Sequence, residues 1–136
     1  VDVELTGKPV PEEQLSFIYR LKTGALLEAS MRIGAVLAGA GKEEEETVER
    51  IAADVGMAFQ IQDDILDLVS TAEVLGKPVL SDEKNQKTTY VTLFGIEKSR
   101  EIAARLSAEA VSIWEEQGEG CAFLLELTKY LTTRTF

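Results

Sequence analysis

Apolar residues recur at helical spacing along most of the chain. After a loop-like start over residues 1–10, marked by Gly7 and Pro9, Pro11-Glu12-Glu13 opens a helix. Proline suits a first helical turn, and acids there complement the helix dipole. From Leu15 onward, Phe17, Ile18, Leu21, Ala25, Leu26, Ala29, Ile33, Val36 and Leu37 keep a period near 3.6. This predicts a helix over 12–39, closed by Gly39 or Gly41. Gly24 and Gly34 lie inside it. Each costs on the order of 1 kcal/mol against alanine, which points to close packing against another helix. A second helix is expected over 43–69, after an exposed acidic start at 42–46. Residues 70–87, with Gly76, Pro78, Ser81, Asp82 and Asn85, lose the period and read as one long polar loop. Loops of that length often carry function. A short helix over 89–94 follows, then a third long helix over 96–117 with Ile102, Leu106, Ala110 and Ile113 on one face. Gly118 and Gly120 stop it, and a last helix over 121–133 carries Phe123, Leu124, Leu127 and Leu131. With no strand-like alternation and no repeat, the pattern predicts an all-α chain of four main helices.

Composition narrows the classes. The 136 residues carry 14 Lys+Arg against 24 Asp+Glu, a net charge of −10, and no histidine. So acidic a surface repels a phosphate backbone and argues against nucleic acid as a partner. Without histidine there is no His-based triad, no imidazole acid–base and no His-ligated metal. The single cysteine, Cys121, closes no intrachain disulfide and builds no zinc site. No stretch reaches the roughly 20 apolar residues of a membrane span, and the first residues show no signal-peptide pattern. A cytoplasmic protein is expected. The length suits one ordinary domain, but the missing initiator methionine hints at a piece of something longer.

The chemistry concentrates in FQIQDDILD at 59–67. At 100° per residue with Gln60 at zero, Asp63 falls near −60°, Asp64 near +40° and Asp67 near −20°. The four polar groups share one strip. Val55, Met57, Ile61, Ile65, Leu66 and Leu68 make most of the remaining circumference apolar, and a helix so apolar is normally buried. Three carboxylates on its one polar strip repel each other in a low dielectric, and a divalent cation relieves this. Mg²⁺ suits the donors: it prefers oxygen and binds one or two carboxylates plus substrate phosphates. Gly56, on the first turns of that strip, would leave room for a ligand. The competing account is a solvated acidic face, although such faces usually mix Glu with Lys at i,i+4. The pattern alone leaves both open. Lys77 and Lys87 in the polar loop and Lys22-Thr23 in the first helix add the cations of a polyphosphate clamp. For Lys77 and Lys87 the plainer account is surface charge, and for Lys22 a snorkelling side chain.

These motifs in register resemble the trans-isoprenyl diphosphate synthases of farnesyl and geranylgeranyl type. The resemblance runs from Lys22-Thr23-Gly24-Ala25-Leu26 through the aspartate segment to Gly76-Lys77-Pro78 and Ser81–Tyr90, and covers nearly the whole chain. It implies an isoprenoid synthase-type helical bundle around a deep cavity. It also implies that Asp63, Asp64 and Asp67 hold Mg²⁺ on an allylic diphosphate, and that Lys22, Lys77 and Lys87 contact that diphosphate. Thr23 and Gln60, with Lys22, would face the developing allylic cation. Arg134 matches basic residues near the isopentenyl diphosphate site. The implied reaction joins an allylic diphosphate to isopentenyl diphosphate, in a protein that is a homodimer when intact.

One departure is large. The family carries two aspartate-rich motifs facing each other, and this chain has only the second. Residues 1–136 are therefore expected to be the C-terminal half of a synthase about twice as long, inactive alone. Phe17, Ile18, Leu26 and Ile33 are then candidates for apolar surface that the other half covers. Trp114, Tyr130 and Cys121 carry no functional expectation. The main alternative is a non-catalytic small subunit that modulates a partner synthase. A terpene cyclase or a plain four-helix interaction module fits the trailing lysines less well.

Overall fold

The structure, a computed structural model, describes residues 10–75 and 88–134. Lys77 and Lys87 therefore lie outside the described residues, as does most of the expected polar loop. All the described elements are helical: α1 (Glu12–Tyr19), a π turn (Arg20–Gly24), α2 (Ala25–Leu37), α3 (Lys42–Leu75), α4 (Tyr90–Phe94), α5 (Ile96–Glu116), a 3₁₀ turn (Glu119–Cys121) and α6 (Ala122–Thr133). The long helix α3 is the spine, against which α1, α2, α4, α5 and α6 all pack.

Local chemistry explains the ends. The helix expected over 12–39 stops two residues early, at Leu37. Gly39, at φ 81°, closes it, while its N–H reaches the Val36 carbonyl and the Ala40 N–H reaches that of Ala35, both at 3.0 Å. This is a Schellman cap, which needs the left-handed residue glycine supplies. The same helix is also interrupted by the π turn, which the period does not reveal. Thr89 caps α4 through a reciprocal box with Thr92, the two bonds measuring 2.8 and 3.2 Å. The helix α3 continues to Leu75, so the first part of the segment read as loop is helical. No proline or glycine falls between Val69 and Gly76 to stop it there.

Two apolar clusters share α3. One gathers Leu15, Ile18, Tyr19, Ile61, Ile65, Tyr90, Val91 and Ala103. The other joins Ile51 and Val55 to Ala110, Ile113 and Trp114. The Trp114 indole donates to Thr128 Oγ1 at 2.9 Å and fastens α5 to α6. Thr128 and Thr132 face inward on α6, whereas Phe123, Leu124 and Leu127 are exposed. The helix α2 buries no residue fully, and Leu26, Ile33, Val36 and Leu37 stand exposed along it. Of the expected uncovered residues, Phe17, Leu26 and Ile33 are exposed. Ile18 is not: it is 7% exposed and part of the first cluster. Among the described residues no helix is long and apolar enough to cross a membrane.

Candidate functional site

The polar strip of α3 meets two distant segments. On one side, the π turn presents Lys22 and Thr23. Thr23 Oγ1 donates to Gln60 Oε1 at 2.8 Å, so the threonine and glutamine singled out in the sequence are joined. Four residues back along the first helix, the Tyr19 hydroxyl donates to Asp64 Oδ2. Tyr19 and Asp64 are both buried. On the other side, Arg134 pairs with Asp63 Oδ1, and its guanidinium carbon lies 4.0 Å from the centre of the Phe59 ring. Gln62 Nε2 donates to the Arg134 carbonyl at 3.2 Å, which ties the residue after α6 to α3. Asp67 is exposed. Lys22, Thr23, Leu26, Leu27, Val55, Phe59 and Leu131 line an apolar cavity of about 440 Å³ beside this strip.

The burial expected for α3 is present, since Val55, Ile61 and Ile65 are buried. The role expected of Gly56 is not. A Cβ there would meet the Gly24 Cα at 3.0 Å and Leu27 Cδ1 at 3.4 Å. Gly56 thus makes room for a neighbouring helix rather than for a ligand. Gly24 is its counterpart, in line with the close packing expected of it. Gly34 is not, because a Cβ there would meet nothing within 4 Å.

The carboxylates are relieved differently from the arrangement the sequence suggests. Asp64 takes a phenol and Asp63 a guanidinium, and among the described residues no three His, Cys, Asp or Glu side chains converge as a metal-holding group. The donor chemistry still suits Mg²⁺. Asp63 and Asp67 are hard oxygen donors one turn apart on the open part of the strip, and this ion needs only one or two carboxylates when phosphate and water supply the rest. Tyr19, Phe59 and the π turn are parts of the site that sequence reasoning did not single out. The only available signal was that Tyr19 stands four residues before Thr23, one helical turn along the same face.

A second acid on α3 behaves otherwise. Burial and the nearby Glu109 carboxylate push Asp54 up to about 6, against the opposing pull of Arg50 and Arg105. Among the described residues no hydrogen bond or ion pair joins it to the polar strip.

Comparison with known proteins gives the family. The Polyprenyl synthetase family model matches residues 2–120. A dimethylallyltranstransferase from Fischerella ambigua is 47% identical over 121 residues, which cover 89% of this chain and 35% of the relative. The farnesyl diphosphate synthase of Escherichia coli is 37% identical over 138 residues, covering 98% of this chain and 46% of the relative. Heptaprenyl diphosphate synthase from Staphylococcus aureus shares the fold, with a TM-score of 0.86 at 22% identity over 99% of this chain and 54% of that one. The chain belongs to the polyprenyl synthetase family. It spans less than half the length of the two curated relatives.

Proposed function

We propose that the protein condenses an allylic diphosphate with isopentenyl diphosphate, head to tail, as a trans-prenyltransferase. The observation that carries this reading is the Thr23–Gln60 hydrogen bond, which sets two neutral oxygen dipoles beside the aspartate strip. Asp63, Asp64 and Asp67 would hold Mg²⁺, which supplies charge stabilisation for a departing diphosphate. Lys22, Lys77 and Lys87 bind diphosphate oxygens. Thr23 and Gln60 turn their oxygens toward the allylic carbon as its C–O bond ionises, stabilising positive charge without attacking it. The isopentenyl double bond then attacks, and loss of a proton completes the product. Arg134, set against Phe59 and Asp63, binds the second diphosphate. The apolar cavity beside Lys22 gives the hydrocarbon part a dry wall.

The same proposal includes a longer protein, since the relatives are more than twice this length and the exposed apolar residues of α2 and α6 need cover. The 136-residue chain alone is inactive. A homodimer and a cytoplasmic location complete the reading. The test is turnover of isopentenyl diphosphate with dimethylallyl, geranyl and farnesyl diphosphates by the protein expressed from its natural reading frame. Wild type should elongate at least one primer in Mg²⁺, and Asp63→Ala should lose at least about a hundredfold in kcat. Full activity in that variant would overturn the assignment.

A further inference from the structure

We infer that Tyr19 is a positioning residue of the aspartate strip, acting through Asp64; the inference rests on the functional reading above. Tyr19 reaches Asp64 and Thr23 reaches Gln60. Leu27 is the nearest side chain to the Cβ position of Gly56. Each step of four residues forward on the first helix is a step of four back on α3. The three contacts are rungs of one antiparallel helix pair. The π turn begins just after the first rung and carries the second. A π turn closes i→i+5 bonds and so holds about one residue more than an α turn. Tyr19, just before the turn, and Thr23, within it, both reach α3.

The Tyr19 ring is held independently of its hydroxyl. It packs against Tyr90 at a centroid distance of 5.2 Å, tilted by 52°. Tyr90 in turn packs on Phe94 at 5.6 Å and bonds Ser16 Oγ at 2.5 Å. The phenol is thus delivered to Asp64 by a fixed ring. A carboxylate has two oxygens and about four lone-pair positions, so one phenol donor sets its plane without exhausting its acceptors. This donor plays the part that outer-shell partners play for metal-binding carboxylates, where their loss costs about 10–100-fold in affinity or activity. The rung also fixes the sliding register between α3 and the turn that bears Lys22 and Thr23.

The experiment uses the protein expressed from its natural reading frame, with Mn²⁺ as the probe. Binding is followed by electron paramagnetic resonance without substrate, then with a non-reactive allylic diphosphate analogue. Tyr19→Phe keeps the ring and removes only the hydroxyl. It should weaken Mn²⁺ binding about tenfold and raise the metal concentration for half-maximal turnover similarly. KM for isopentenyl diphosphate should hold within about twofold. Asp64→Asn should weaken Mn²⁺ binding too, and the double variant should be no worse than Asp64→Asn, since the two act as one unit. Wild-type Mn²⁺ binding by Tyr19→Phe, with only a lower melting temperature, would make the bond purely structural and overturn the inference. Independent, multiplying losses in the double variant would overturn it as well. Asp63→Ala separates the two levels. Binding lost there but kept in Tyr19→Phe overturns the inference and leaves the functional reading standing, whereas binding kept in both overturns the reading too.

Discussion

Asp54 and Asp64 lie on the same helix, α3, roughly 15 Å apart along its axis, and their surroundings differ in kind. Asp64 and its neighbour Asp63 meet donors brought from far along the chain, Tyr19 and Arg134. Asp54 meets another acid, Glu109, with Arg50 and Arg105 only partly compensating. Its Oδ2 is buried without a hydrogen-bond partner. Buried carboxylates thus arise on one helix by two routes. At the strip, long-range donors orient the acids beside a cavity. Near Asp54, packing of α3 on α5 merely leaves an acid in a poor place. A perturbed carboxyl is therefore no guide to function here, while the provenance of its partners is.

The sharpest way to break this comparison is to remove one acid from each place. In the protein expressed from its natural reading frame, Asp67→Ala should lower Mg²⁺-dependent kcat by about a hundredfold, as expected when a metal's carboxylate is withdrawn. Asp54→Asn should leave kcat within about twofold. Comparable losses in both steady-state assays would erase the distinction.

The helical character of every long segment was legible in the sequence, because apolar period and glycine stops fix helices strongly. The candidate strip was legible too, since Gln60, Asp63, Asp64 and Asp67 share a face at 100° per residue. Two parts were not. The apolar period runs through the π turn without a break, so Lys22 and Thr23, although singled out as candidates, were placed in an unbroken helix. The donors to the strip depend on contacts spanning 45 and 71 residues, which no local pattern encodes. Arg134 could be flagged only by resemblance, and its seat on Phe59 and Asp63 comes from how α6 lies across α3. Gly56 was misread because a small residue signals space without saying what fills it.

The glycines offer the next test of that boundary. At the strip end, the first helix and α3 approach so closely that a Cβ on Gly56 would stand 3.0 Å from the Gly24 Cα. Backbone cannot yield as a side-chain tip can, so Gly56→Ala should destabilise the fold by about 1–3 kcal/mol. Gly34→Ala, on the same helix pair but facing open space, should stabilise it by up to about 1 kcal/mol through helix propensity alone. Urea denaturation of the two variants gives both numbers, and the same sign for both would mean that the close approach is not what holds Gly56.

The smallest effect concerns Asp54. Its folded value of about 6 lies above the ordinary 3.8, so ionisation costs the folded protein more than the unfolded chain. The stability it contributes is complete below about pH 4 and is lost as pH rises through about 6. Asp54→Asn removes the charge while keeping the shape. Its melting temperature should match wild type near pH 4 and exceed it at pH 7.5, by a margin worth under about 1 kcal/mol, since solvent screens a half-buried group. Glu109→Gln should give the same sign by removing the repelling neighbour. If instead Asp54→Asn is less stable than wild type at pH 7.5, Arg50 and Arg105 outweigh burial and Glu109. Asp54 would then resemble Asp63, held by a cation, and the contrast along α3 would collapse.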